Sequence, residues 1–590
     1  MKRIICLLLV LIMALSCTFA LASCNFGGGG GTGDGSGDGS GDGSGSGSGD
    51  GSGSGSGGGT TVINNWWDAI AYDATTLRFQ LTETENAGLH PNTKRLLEGH
   101  KDASKGRLLD ELITERNENA YFNTNVTIEY NYYNNNTELY GWGKAMDVIY
   151  QEVQNKSQYS PDMYCNFMSD MLATSLKGSF ANILSQSRNS AGTGRVSNFF
   201  KVDPSVKNEG YEHSGYMSDL MSSLTLSDEK FYVIASDYFI DLIRAFFVVP
   251  VNRQLFNSIA STTIADLDNS GASDMNDLFV EVKNNDWTYD KLMEYSAAVA
   301  VDVNNNTVWD SGDVLGFGLD YQGGMMASGL MYTTTLVIIE KNWDEDQMKY
   351  TYAYPDKNPE LDVFVGKINT VFNSKGIAAL DKGDATSAVE NIANKFTGNS
   401  MLFGGIITVG NLENAEYQEM KGEDKGFGVV PVPVYTNIDP ETNEKYALDN
   451  SPYQTQIHTS GGAGGISHVT SKFTQCSAFI QYQSTHSTDI LNEYYDNNLT
   501  LDVADGMKGN VEMLQYIRNN VRTSFDKLFE DAIAFFNKQV DENAQANRWH
   551  NVLMTYQYKL PSMADLYDSL ISTKKTRLAN LVTEYTKLPD

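Results

Sequence analysis

The sequence predicts an α/β protein built as two lobes, and three observations predict it. Short β-branched and aromatic runs alternate with stretches of helical spacing, the order that builds a mostly parallel sheet covered by helices. The folding portion, residues 61 to 590, exceeds what one hydrophobic core usually serves. No self-similarity at a period of about 20–50 residues is visible, which excludes a solenoid or propeller.

The chain opens on a leader. Met1-Lys2-Arg3 is a short positive start, Ile4 to Leu15 is almost wholly apolar, and small residues follow, the build of a secretory signal. Leu21-Ala22-Ser23-Cys24 resembles the lipobox of bacterial lipoproteins, cut just before a cysteine whose thiol carries a diacylglycerol with palmitate-type chains. Residues 1–23 are then the signal peptide and Cys24 the lipidated first residue. Cys17 follows a shorter apolar core and is the weaker candidate, and cleavage near Ala22 or Ser23 to a soluble secreted protein is the alternative.

Residues 27–59 are Gly, Ser and Asp with one Thr, so they offer no apolar side chain to offset the entropy of ordering. Residues 24–60 thus form a lipidated flexible tether, and a coil of this length spans about 30 Å on average. Beyond Thr60 no apolar run is long enough for a transmembrane helix. With 43 basic against 74 acidic residues, nucleic acid and anionic membrane surfaces are excluded as partners. Only Cys165 and Cys476 remain in the body, as one disulfide or two separately buried thiols.

Along the body, "VTIEYNYY" from Val126 reads as a strand, "KAMDVIYQEVQN" from Lys144 as a helix and "SPDMYCNF" from Ser160 as a strand and turn. "KFYVIASDYF" from Lys230 and "RAFFVVPVNRQLF" from Arg244 read as a further strand pair leading into a helix. Thr288 suits the N-cap of the next helix, with Asp290 in its first turn and Trp287 placed to staple Leu292. Leu578, Leu581, Val582 and Tyr585 make one apolar stripe of a terminal helix.

From Gly210 to Asn257 the order of features resembles the family 1 extracellular solute-binding proteins, sugar-capturing lipoproteins of ATP-binding cassette importers. The matching pieces continue in order: Val251-Asn252-Arg253-Gln254-Leu255-Phe256, "NNDWTYDKLMEYSAAV" from Asn284, "DVLGFGLD" from Asp313, "FTGNSMLFGG" from Phe396 and "DKGFGVVPVPV" from Asp424. Residues 60–124 match nothing in that order. The resemblance implies a two-lobed periplasmic-binding-protein-like fold of type II, its lobes joined by three crossover segments near Val249–Asn252, Met401–Gly404 and Ile466–Thr470. The first lobe would hold 61–249 with 404–466, and the second 250–403 with 467–590. It implies a non-enzymatic, monomeric protein on the extracellular face of the cell membrane, closing on a sugar or oligosaccharide and meeting an importer permease. A surface-anchored carbohydrate-active enzyme and a non-catalytic adhesion protein are the alternatives.

Two stretches carry metal-ligand spacing, and no other cofactor is required. Asp302, Asn304, Asn306, the Val308 carbonyl, Asp310 and Asp313 fall at positions 1, 3, 5, 7, 9 and 12 of a calcium loop. Thr307 replaces the turn glycine there, and Asp313 the longer Glu. "DLDNSGASDMND" from Asp266 repeats the spacing with Gly271 at the turn and Ser270 as a poor ligand. An Asx-rich turn explains either stretch without metal.

Catalytic signals are thin: no H-E-x-x-H, P-loop or G-x-S-x-G is present, and the seven histidines are scattered. Sugar clefts combine aromatic rings with amides and carboxylates. By position, Asn166, Asp237, Tyr238, Tyr321, Gln322, Tyr453 and Gln454 are the candidate ligand contacts.

Overall fold

Alternation along Thr75–Thr82 sets the first sheet: Leu77, Phe79 and Leu81 are fully buried on one face, and Arg78 and Gln80 stand on the other. This strand, β1, lies in residues 60–124, where the sequence offered no match. The computed structural model describes residues 74–82, 97–98, 108–133, 143–157, 159–183, 215–226, 230–319, 325–333, 336–347, 349–380, 385–420, 426–439, 442–448, 450–458, 461–499, 509–521 and 563–588. The chain divides into two units, Met1–Val62 and Ile63–Asp590, and every described residue belongs to the second. The signal peptide, Cys24, the tether, Tyr321 and Gln322 lie outside the described residues.

The first sheet has the order β12-β3-β1-β2. β2 (Val126–Tyr133) and β3 (Met163–Phe167) flank β1 in parallel, and β12 (Gly462–Ile466) closes the edge antiparallel to β3. Helix α1 (Leu108–Thr124) packs with the later helix at 473–485, while α2 (Ala145–Gln154) and α3 (Met168–Leu176) pack on each other. Of these, β2, β3 and α2 match the sequence expectation; β1 was not expected, and the glycine-rich run at 462–466 pairs as β12 instead of forming a loop. The run from Lys230 does not form a regular strand: Ile234 bridges Gly464 and Ser236 bridges Tyr216, each as an isolated pair.

Helix α4 (Ile240–Arg244) leads into β4 (Phe247–Asn252), the hub of the second sheet. Its order is β10-β4-β9-β5-β8, with β11 also on β4. β5 (Leu315–Leu319) runs parallel to β8 (Ile377–Ala379) and β9 (Met401–Phe403), whereas β10 (Ile407–Thr408) and β11 (Phe427–Val430) are antiparallel to β4. Helices α5 (Arg253–Thr263), α6 (Met275–Lys283), α7 (Tyr289–Val299), α8 (Pro359–Phe372) and α9 (Ala385–Thr397) belong to this layer, and a separate hairpin pairs β6 (Glu340–Asp344) with β7 (Lys349–Ala353). Thr288 takes the N-cap position of α7, although its side chain makes no capping bond.

Three chain passages join the sheets, displaced from the positions the motifs implied. The first runs through α4 into β4. The second returns through the segment where Phe246 bridges Ile457 and Gly461 accepts from the Met168 N–H, ending in β12. After β12, α10 (Phe473–Thr485) packs on α1 and β1 in the first layer, and α11 (Thr488–Glu493) follows. The third passage then leaves through a π-helical turn, Tyr494–Asn498, towards α12 (Gly509–Asn519), which packs on β11. Met401–Gly404 is not a crossing, since β9, β10 and β11 all stay in the second sheet. Strand pairing overrides sequence position here: β4 satisfies its backbone with β10 and β11, which draws 407–430 away from the first layer.

The terminal helix α13 (Met563–Thr586) buries Leu578, Leu581 and Tyr585 as its stripe implied. Its first half reaches the second layer, with the Tyr567 hydroxyl on the Pro355 carbonyl and Lys575 on Asp356. Its end reaches the first, where the Tyr585 hydroxyl donates to the Lys230 carbonyl.

Candidate functional site

An open sheet with parallel strands presents its ligand crevice at the carboxyl ends of those strands. In the first sheet that edge carries Thr82 at the end of β1, Asn166 near the end of β3, and Ser169 and Asp170 in the first turn of α3, all buried. The Asn166 carbonyl oxygen accepts the Phe167 N–H at 2.6 Å, and its amide nitrogen has no partner among the described residues. A buried amide donor left unpaired costs about 1–3 kcal/mol, a cost that a ligand hydroxyl or a water removes. Asp170 accepts the Gly143 N–H at 2.9 Å, beside a helix start whose dipole favours its charge.

Charged groups tie the chain passages together. Arg518 on α12 makes a forked pair with Asp237 of the first layer, at 3.0 Å from Nε and 2.6 Å from one terminal nitrogen. Burial pushes the Asp237 carboxyl above its ordinary value, and Arg518 opposes that rise. Arg244 on α4 bonds Asp241 at 2.9 Å and Glu413 at 2.7 Å, and the Tyr494 hydroxyl donates to the same Glu413 at 2.6 Å. Burial works against the Arg244 charge, but Glu413 and Asp241 outweigh it and hold the guanidinium above its usual value. Buried pairs of this kind add little net stability, while loss of one partner strands the other.

Of the contacts named from sequence, Asn166 stands at the strand ends and Asp237 in the ion pair. Tyr238 is a core residue: its fully buried ring packs 6.3 Å from Phe79 and 5.8 Å from Phe479, with the Arg116 guanidinium 5.0 Å above it. Tyr453 is buried too, its hydroxyl accepting the Trp287 N–H at 2.8 Å and donating to the Trp287 carbonyl at 3.1 Å. Gln454 lies beside it, with its backbone N–H on Thr333. Cys165 and Cys476 are both free and buried, which leaves the two-thiol alternative.

The two acidic loops fold alike. In one, Asp302 accepts the Asn306 and Thr307 N–H groups, and Asp313 accepts those of Val303 and Asp310. In the other, Asp266 accepts from Ser270 and Gly271, and Asp277 from Leu267, Asp268 and Asp274. Oxygens of Asp266, Asp268 and Asp277 lie within 4.8 Å of one another, a donor set suited to a hard cation. The 302–313 loop has carboxamides at two of its ligand positions, Asn304 and Asn306, and Lys395 bonds the Asp313 carbonyl at 2.8 Å.

No family model matches the chain, and no curated protein does. Among solved structures, it is similar to the GacH receptor of Streptomyces glaucescens (10% identity, 85% of this chain and 99% of that one, TM-score 0.40). It is also similar to a Staphylococcus aureus extracellular solute-binding protein in complex with maltose (12%, 82% and 98%, 0.42). A third is the galacto-N-biose/lacto-N-biose I-binding protein of a Bifidobacterium longum transporter (10%, 87% and 98%, 0.45). Superpositions this loose leave the architecture to stand on the chain's own strand order. Among the described residues no helix is long and apolar enough to cross a membrane.

Proposed function

We propose that the chain is a solute-binding protein of type II architecture that captures a sugar or oligosaccharide between its two sheet layers for an importer permease. The observation that carries this reading is the pair of sheets joined by three passages, with a buried Asn166 amide, unpaired among the described residues, at the carboxyl end of the first. Contacts made to both layers exist only when the layers close, so a ligand shifts the population towards the closed form. The ordered motifs from Gly210 to Val434 support the same reading. Lipid attachment at Cys24, the tether at residues 24–60, a place on the extracellular face of the membrane and a monomeric state complete it. The first layer would hold β1–β3 and β12 and the second β4, β5 and β8–β11, with calcium in the acidic loops as a structural accessory.

A thermal-shift titration of the full chain in mild detergent against mono- and oligosaccharides tests the reading. A ligand held only by the native state adds about 2.7 kcal/mol at one hundred times its dissociation constant. A saturable rise with one glycan class, no product after incubation, and its loss in Asn166→Ala are the expected results. Turnover of the glycan, or no response to any sugar, would remove the proposal.

A further inference from the structure

A second cavity lies away from the strand ends, between the polar face of β1 and β2, the last turn of α2 and the loop that enters β3. It is an open groove of about 650 Å³, within the range of small-molecule sites. Its floor is Gln80, only 8% exposed, whose carboxamide has no hydrogen-bond partner among the described residues. Asn131, half-buried on the neighbouring strand, is equally without one. Side-chain amides lining a groove without a partner among the described residues can bond a ligand hydroxyl.

The wall is aromatic. Tyr159 is 68% exposed and presented by a turn in which Ser157 Oγ accepts the Tyr159 N–H at 3.1 Å and Ser160 Oγ accepts the Ser157 N–H at 2.8 Å. Arg78 lies against the ring, 5.2 Å from its centre, and pairs with Glu129 at 3.2 Å. Arg78 is the sole cation among the lining residues and Glu129 offsets it, which disfavours an anionic ligand. Amides and hydroxyls outnumber apolar side chains in the lining, which disfavours a purely apolar one. An aromatic platform beside unpaired amides suits a pyranose, with its C–H face on the ring and its hydroxyls on the amides.

We propose that this pocket is a second saccharide site, binding a neutral sugar residue on Tyr159 with its hydroxyls on Gln80 and Asn131. It does not depend on closure of the two layers. Calorimetric titration of the full chain in detergent with maltose, cellobiose and lactose tests it, in the parent, Tyr159→Ala, Gln80→Met and Asn166→Ala. Tyr159 is mostly exposed, so its loss leaves the core intact, and circular dichroism checks the folding of each variant. A disaccharide whose affinity falls about tenfold or more in both pocket variants, and survives in Asn166→Ala, is the expected result. Binding that ignores both pocket variants, or no binding of any of the three sugars, overturns the proposal. Loss in Asn166→Ala alone assigns the sugar to the strand ends instead.

Discussion

The loops Asp266–Asp277 and Asp302–Asp313 share a backbone and differ in charge. In each, the first carboxylate spans the N–H groups of the fifth and sixth residues, and the twelfth carboxylate returns to the N–H groups of the second and ninth. Both have positive φ at the fourth and sixth positions: 60° and 96° at Asn269 and Gly271, 55° and 64° at Asn305 and Thr307. One brings three of its four carboxylates together around a glycine turn, while the other has three carboxylates, with Asn304 and Asn306 at the third and fifth positions and a left-handed threonine at the turn. The lesson is that hydrogen bonds to the chain's own amides suffice to build this loop, so its shape alone says little about a metal.

The largest effect is expected at the twelfth position. Asp277→Ala strands three N–H groups and the capping box of α6, at a cost of about 3 kcal/mol read from denaturant unfolding. Next comes calcium: millimolar addition to chelator-treated protein raises the melting temperature, and exchanging Asp266 and Asp268 for Asn removes the rise. A rise that survives that exchange places the ion in the Asp302 loop and reverses the ranking of the two. Asp313→Ala, which strands two N–H groups, costs about 2 kcal/mol in the same unfolding assay. If it costs more than Asp277→Ala, the loops are not equivalent supports.

The smallest effects have opposite signs. Thr307→Gly relieves a left-handed threonine and stabilises by about 1 kcal/mol, whereas Gly271→Ala at φ 96° destabilises by a similar amount. Equal signs would show that side-chain contacts, not backbone conformation, govern the sixth position.

These loops also mark how far the sequence was legible. The register of both was readable because a ligand pattern and an Asx-turn pattern use the same spacing, and for that reason spacing did not separate them. β2, β3 and α2 were readable from local periodicity. β1 was not assigned, although Leu77, Phe79 and Leu81 alternate, because no motif flanks it to fix its place in a sheet. The run from Lys230 has strand composition but is buried throughout, and composition does not reveal that it meets β12 at a single residue. Asn166, named from its position in the sequence, is found near the end of β3. Arg518 was not legible: it meets Asp237 across 281 positions, and nothing local to either residue marks the other. Tyr238 and Tyr453 are buried, which the sequence did not reveal, since a tyrosine that stacks on a ligand and one that ties down a core have the same composition.

The placement of β12 and α13 bears on when the molecule can finish folding. β3 is made early, yet its antiparallel neighbour β12 follows only after the whole second sheet has been synthesised. Tyr585, which bonds the Lys230 carbonyl, emerges later than β12. Contacts of such long sequence separation are the slowest to form. A nascent chain thus keeps an open β3 edge until β12 has emerged.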